Sequence, residues 1–364
     1  MYRNVVFYVS GHGYGHATRA AEVIRAFATL RCADNVYVRT HAPRGFFSEL
    51  PGVHVPEVGA RLDSAVVETT PLLVSETESF NAVSSLLENR QAVLDEEVQF
   101  AKNTNVGLIV SDIPFLAGDV AEAVGVPCFA VGNFTWDWIY EAYMANNPHW
   151  GDAIDSIRRS YAKMSAWLRL PFHHDSRCFQ TITDVPLVAR RGERSHAEVL
   201  DALGLDATDS RPRVLLAMRG QVDDAVLIAA AASERDFVYL SVEPLSSSGP
   251  ENVRSLSSSA PVTFTDLLSV SDVAISKLGY SIVADCISCN TGILWPRRYG
   301  FREDDLLMDE APRYTRALEL PKEEYESGNW GAYLRSLIDM PAPSSRMAVD
   351  GAETCAQLIS EWLT

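Results

Sequence analysis

One stretch constrains this chain more than any other: Val5-Val6-Phe7-Tyr8-Val9, followed at once by Ser10-Gly11-His12-Gly13-Tyr14-Gly15-His16-Ala17-Thr18-Arg19. The apolar run has the length and the β-branched and aromatic content of a buried strand. Residues 20–30 have the apolar spacing of an amphipathic helix. Strand, glycine turn and helix open an α/β domain. Glycine lets the backbone turn sharply and approach a ligand closely. The first helical amides and the helix dipole then favour an anionic group above the turn. Imidazoles ordinarily titrate near neutrality, so His12 and His16 add a candidate proton acceptor. Glycine turns after a first strand also occur in α/β folds that bind nothing there. Two histidines crowded into the turn are what favour a site. The spacing is G-x-G-x-G, not the G-x-G-x-x-G of a dinucleotide fingerprint.

The alternation continues. Residues 36–40 and 53–58 read as strands, 79–103 as a helix, 107–111 as a strand, 116–124 as a helix and 128–131 as a strand. Strands alternating with helices imply a parallel, doubly wound sheet, with ligands beyond the carboxyl ends of its strands. Asp112 falls at such an end, as does Asn133-Phe134-Thr135-Trp136-Asp137-Trp138. Aromatic faces with a few polar groups are what sugar rings and planar heterocycles pack against. The same tryptophans would equally serve a domain core.

At 364 residues the chain exceeds the size at which one core keeps growing, so two domains are expected, 1–185 and 186–345, with a C-terminal helix at 346–364 packing back on the first. The net charge of −17 carries no basic stripe. Nucleic acid and an anionic membrane surface are therefore not expected partners. No apolar stretch is long enough to span a bilayer and no leader pattern is visible, so a cytoplasmic location is expected. The six cysteines are scattered. Cys286 and Cys289 form the one C-x-x-C, inside an expected helix without a second pair, and His173-His174 lacks ligand-spaced partners, so no metal site is expected.

The second domain repeats the logic of the first. Residues 213–218 form its first expected strand, ending in Arg219-Gly220-Gln221, followed by a helix at 225–232 and a strand at 237–240. A short strand at 262–264 leads to Thr265-Asp266-Leu267-Leu268. The strand 273–276 ends in Lys277-Leu278-Gly279-Tyr280-Ser281, which opens a helix at 282–288. Glycine, a hydroxyl, fresh helix amides and Lys277 suit a diphosphate. Asp285, one turn further in, suits a ribose diol. Arg297, Arg298 and Arg302 follow the strand 291–295. Arginine suits a carboxylate.

Two α/β domains, each with a glycine turn, resemble the layout of GT-B glycosyltransferases, whose doubly wound, Rossmann-like domains face one another across a cleft. The first turn resembles the opening of the peptidoglycan N-acetylglucosaminyltransferase family. It is still more similar to the glycosyltransferase-like N-terminal half of plant-type L-arabinokinases, as is the stretch 133–140. Residues 275–285 resemble the diphosphate and ribose segment of those families, and 262–268 the segment bracketing the donor's base. Two departures stand out. The peptidoglycan enzymes end the ribose segment in Glu, where this chain has Asp285, and their first turn in domain two is richer in glycine.

The resemblance implies a metal-independent, inverting glycosyltransferase with no cofactor beyond a nucleotide sugar, most simply UDP-linked, as co-substrate. His16 is the first choice as general base, His12 the second, with Asp137 as a further catalytic candidate. Gly15, Arg219, Gly220, Gln221, Phe264, Thr265, Leu267, Lys277, Gly279, Tyr280, Ser281, Asp285, Arg297, Arg298 and Arg302 are the expected donor contacts. Gly13, Tyr14, Asp112, Asn133, Phe134, Trp136 and Trp138 are the expected acceptor contacts. The three arginines make a uronic acid the favoured sugar. The acceptor is expected to be small and soluble, a nucleobase or a natural-product intermediate, and a homodimer is compatible with the sequence. A UDP-sugar epimerase using Asp112 and Asp137, a non-catalytic sugar-nucleotide sensor and a nicotinamide oxidoreductase are the alternatives.

Overall fold

The structure, a computed structural model, describes residues 4–57, 59–218, 224–242, 249–256 and 262–363. Two compact units emerge. The first comprises Met1–Ala189, Gly300–Glu303 and Ala348–Thr364, and the second Arg190–Tyr299 and Asp304–Met347.

In the first unit, β1 (Asn4–Val9) runs into helix α1 (Gly13–Thr29), then β2 (Asn35–Thr40) and β3 (Val53–His54). A small antiparallel hairpin, β4 (Val67–Thr70) with β5 (Leu73–Ser75), precedes α2 (Glu76–Glu88) and α3 (Arg90–Asn103). Then come β6 (Val106–Asp112), α4 (Ala117–Val124), β7 (Cys128–Gly132), α5 (Trp136–Glu141), α6 (Trp150–Tyr161), β8 (Ala166–Arg169) and β9 (Ile182–Asp184). The parallel sheet has the order β3-β2-β1-β6-β7-β8-β9. Strand order therefore reverses between β1 and β6, which is where an open α/β sheet leaves a crevice for ligands. β1 is buried throughout from Val5 to Val9, as its unbroken apolar run requires in a two-sided sheet. The C-terminal helix Gly351–Ser360 packs against α1, and Leu187 N–H donates to the Ala348 carbonyl at 3.0 Å.

The second unit opens with α7 (His196–Ala202) and carries β10 (Arg213–Leu216), α8 (Asp224–Ser233), β11 (Val238–Ser241) and β12 (Val253–Ser255). It continues with α9 (Phe264–Ser269), β13 (Val273–Ile275), α10 (Tyr280–Cys289), β14 (Gly292–Pro296) and β15 (Ala317–Leu320). Its parallel sheet has the order β12-β11-β10-β13-β14-β15, so order reverses between β10 and β13.

Several elements differ from the sequence reading. Helix α1 starts at Gly13, so most of the expected turn is helical. The expected helix 79–103 is two helices broken at Asn89, whose side-chain amide donates to the Ser85 carbonyl at 2.8 Å and ends the first. The expected strand 262–264 is instead the start of α9. Thr263 accepts from Asp266 N–H at 3.1 Å while Asp266 accepts from Thr263 N–H at 2.9 Å, a reciprocal cap that sets a helix start. The aromatic stretch after β7 forms α5, with its rings turned inward. Trp136 stacks on Tyr140 and Tyr140 on Trp150, inside the main core of the unit. Cys286 and Cys289 do lie in one helix, α10, where burial pushes the Cys289 thiol up to about 11.

Candidate active site

The first turn shows why its glycines stand where they do. A Cβ on Gly11 would come 2.9 Å from the Cβ of His41, so only glycine lets the end of β1 pass the end of β2 this closely. Gly13 has φ +62°, in the left-handed region that side chains resist. His12, half-buried, is the N-cap of α1 without a side-chain cap bond. Gly13, Tyr14 and Gly15 form the exposed first turn, and Tyr14 packs on Phe46.

Helical spacing then puts His16 and Arg19, three residues apart, on one buried face. β6 delivers Asp112 opposite Val9, and Ser10 N–H donates to the Asp112 carbonyl at 3.2 Å. His16 Nδ1 lies 2.8 Å from Asp112 Oδ1. Arg19 grips the same carboxylate through Nε to Oδ2 at 3.0 Å and Nη2 to Oδ1 at 2.6 Å. Burial alone would raise the Asp112 carboxyl, but the Arg19 charge and the His16 ring outweigh it and hold it below the usual carboxylate range. An ionised carboxylate only accepts, so Nδ1 carries the proton toward it and Nε2 is left as the basic nitrogen. The Arg19 Nη2 group, 3.1 Å from Nδ1, donates to Oδ1 instead.

The backbone beside this pair is unusual. Ile113, directly after Asp112, has φ +58°, rare for a β-branched residue. The Tyr161 hydroxyl donates to its carbonyl at 2.8 Å and holds it there. From the end of β7, Asn133 accepts from Arg19 Nη1 at 2.9 Å and donates to Glu303 Oε1 at 2.8 Å. Phe301 lies beside the His12 ring, with centroids 6.1 Å apart. Asp63, in the coil before β4, accepts from Trp136 Nε1 at 2.9 Å. Burial pushes its carboxyl up, against hydrogen bonds from Ser10 and Trp136. Asp63 lines a small open pocket with Gly11, Thr40, His41 and Arg61.

The expected residues thus separate. His16, Asp112 and Asn133 come together, with Asp112 and Asn133 engaged by His16 and Arg19 rather than left as open acceptor contacts. Trp136 and Phe134 are not an open platform: both are buried, so they shape the site from within. Trp138 is half-buried, stacked on His174 at 4.7 Å with the Arg302 guanidinium 4.4 Å from its ring centre. Asp137 belongs to a different cluster, paired with Arg158 at 3.2 Å and beside the Cys178 thiol, so it takes no part in the His16 group.

In the second unit, Lys277 follows β13 and Gly279 is the N-cap of α10, with open space where a Cβ would stand. Lys277 and Ser281 are half-buried, and Tyr280 is buried. Asp285 does not offer itself to a ribose. It is 1% exposed and accepts from Arg190 three times, from the backbone N–H at 2.8 Å, Nε at 3.0 Å and Nη2 at 2.6 Å. Leu267 is wholly buried and Thr265 nearly so, which leaves Phe264, half-buried beneath the Arg190 guanidinium, as the open member of its segment. Arg298 is buried against Asp304, and Arg302 lies in the first unit, bonded to Glu141 at 3.0 Å and the Trp138 carbonyl at 2.8 Å. Arg297, paired with Asp305 at the surface, is the most accessible of the three. Arg219, Gly220 and Gln221 lie outside the described residues.

Sequence reasoning gave Arg19, Asp63, Arg190 and Glu303 no firm role. Arg19 was within reach, since its i+3 spacing from His16 becomes visible once α1 is started at Gly13. Asp63 and Arg190 sit in irregular segments and carry no periodic signal.

Two parallel-sheet units of this topology define the fold class: it is the fold of the GT-B glycosyltransferases. The glycotransferase of kitacinnamycin superimposes over the whole of both chains with a TM-score of 0.66 at 13% identity. A UDP-glucosyltransferase from Polygonum tinctorium does so over 100% of this chain and 99% of its own with a TM-score of 0.61, also at 13% identity. Among curated sequences, the L-arabinokinase of Arabidopsis thaliana is 28% identical over 358 residues, 98% of this chain. The chain spans only 34% of that protein's length. No family model matches the sequence. Among the described residues, no group of three or more His, Cys, Asp or Glu side chains is arranged to hold a metal ion. No helix among them is long and apolar enough to cross a membrane.

Proposed function

We propose that the chain is a glycosyltransferase that moves a sugar from a nucleotide sugar, most simply UDP-linked, to a small soluble acceptor, without a metal and with inversion at the anomeric carbon. The observation that carries this reading is the His16–Asp112 hydrogen bond at the strand-order reversal of the first sheet, in a chain of GT-B fold. His16 Nε2 takes the proton of the acceptor hydroxyl or ring nitrogen as that atom attacks the anomeric carbon, and Asp112 stabilises the imidazolium. His12 lines the same turn. The first amides of α10 and Lys277 receive the departing diphosphate, so its charge is met by protein groups. Gly15, Gly13 and Tyr14 are contacts at the exposed first turn of α1. A uronic acid as the transferred sugar rests on Arg297, whose partner Asp305 lies at the surface, because Arg298 is buried against Asp304 and Arg302 is bonded to Glu141. Asp112 and Asp137 sit in separate ion-pair clusters, which disfavours the epimerase.

A thermal-shift screen of nucleotides and nucleotide sugars tests this reading. A ligand at a hundred times its Kd adds about 2.7 kcal/mol to the folded state. UDP and one UDP-sugar should raise the melting temperature, and Lys277→Ala should abolish the rise. A shift with dTDP but not UDP would change the donor. No shift with any nucleotide would overturn the donor site.

A further inference from the structure

The His16–Asp112 pair is the end of a longer chain of hydrogen bonds. Glu303 Oε1 accepts from Asn133 Nδ2 at 2.8 Å, which turns the Asn133 carbonyl oxygen toward Arg19 Nη1 at 2.9 Å. Arg19 in turn holds both oxygens of Asp112, and Asp112 holds His16 Nδ1. Every member is buried, with Glu303 only 4% exposed. We propose that Glu303 is a positioning residue for His16: through Asn133 and Arg19 it fixes the pair and supplies the second negative charge that lets His16 take up a proton.

Arg19 and Asp112 cancel one another. A proton added to a ring 7% exposed would then be an uncompensated buried cation, which is costly. The other groups that face His16 lie outside this chain of hydrogen bonds. His12, with ring centroids 6.5 Å away, brings no negative charge. Asp63 accepts from Trp136 Nε1 at 2.9 Å, and burial raises its carboxyl against that bond. Cys355, on the C-terminal helix beside Arg19 and Asp112, is pushed up to about 12 and stays a thiol. Phe134 and Trp136 present neutral rings. Glu303 therefore makes the network neutral when His16 is protonated. Its amide partner also dictates which way Asn133 faces, since an Asn133 side chain turned the other way would present its NH2 group to a guanidinium.

The inference rests on His16 being the general base, but its test needs no substrate. The His16 ring is titrated by NMR in the intact chain, its resonance assigned by its loss in His16→Asn. Glu303→Gln keeps shape and an acceptor oxygen but removes the charge, and should lower the midpoint by at least ~0.5 pH unit. Glu303→Asp keeps the charge and should restore it. Glu303→Ala, which removes the charge and leaves no new donor, should also lower the midpoint and serves if Glu303→Gln does not fold. A midpoint that ignores both Glu303→Gln and Glu303→Ala, while Asp112→Asn moves it, overturns the inference. If the midpoint follows Glu303 but His16→Ala keeps its turnover, the network stands and the base role falls. If His16→Ala loses turnover while the midpoint ignores Glu303, the base stands and the inference falls.

Discussion

His16 and Asp112 are 96 positions apart in the chain, yet His16 Nδ1 lies 2.8 Å from Asp112 Oδ1. The contact exists because β1 and β6 are neighbours in register, Val9 opposite Asp112, and because α1 begins early enough to carry His16 back over the end of β1. If the ring is a general base, His16→Ala lowers kcat for sugar transfer by about 10²–10⁴-fold. Asp112→Asn has a smaller effect, and UDP affinity is unchanged in both. Steady-state kinetics with titrated UDP checks this. Near-normal turnover with weakened affinity in His16→Ala would leave His16 only a binding role.

Stability should fall on mild acidification because of His174. Its Nε2 meets the Thr135 hydroxyl at 3.0 Å and its Nδ1 faces the Asp175 carbonyl at 2.9 Å. Burial depresses it to about 4. The unfolded chain therefore binds this proton below about pH 6.5 while the folded chain does not until about pH 4, so stability is lost as pH falls through that window. The slope approaches ~1.4 kcal/mol per pH unit. Urea melts from pH 7 to 4.5 should show it, and His174→Gln should flatten it.

Arg190 and Asp285 should behave as a structural pair. Arg190→Ala strands a carboxylate that is 1% exposed and should cost about 3–5 kcal/mol in chemical denaturation. Asp285→Asn, which keeps hydrogen-bond acceptance, should leave UDP affinity within about threefold, under ~0.7 kcal/mol. A tenfold loss of UDP affinity in Asp285→Asn would return Asp285 to the ribose.

Gly13→Ala should destabilise by about 1–2 kcal/mol, because φ +62° crowds a Cβ against the backbone although the space beyond it is open. Gly11→Ala should cost at least as much, since its Cβ would meet the His41 Cβ at 2.9 Å. Thermal denaturation of both variants checks the order.

The sequence by itself determined the alternation of strands and helices, the parallel sheets and the importance of the first turn. Those features are local: unbroken apolar runs such as Val5 to Val9, glycines at fixed offsets and helix periodicity act over a few residues. The short strands β8 and β9 and helices α5 and α6 were not legible, because aromatic crowding around Trp136 looks alike in a binding platform and in a core. Side-chain partners were decided only by tertiary structure. Asp112 and Asp137 are the same residue type at similar strand ends, but β6 delivers one to His16 and Arg19, while α5 turns the other to Arg158. Asp285 had the right spacing for a ribose, yet the chain returns Arg190 to it from 95 residues away. Glu303 looked like one more acid in a charged loop until Asn133 met it from 170 residues away. Charge and hydrogen-bond capacity are properties of a residue. Which charge compensates which is fixed by burial and by contacts between strand ends, and neither has any period along the chain.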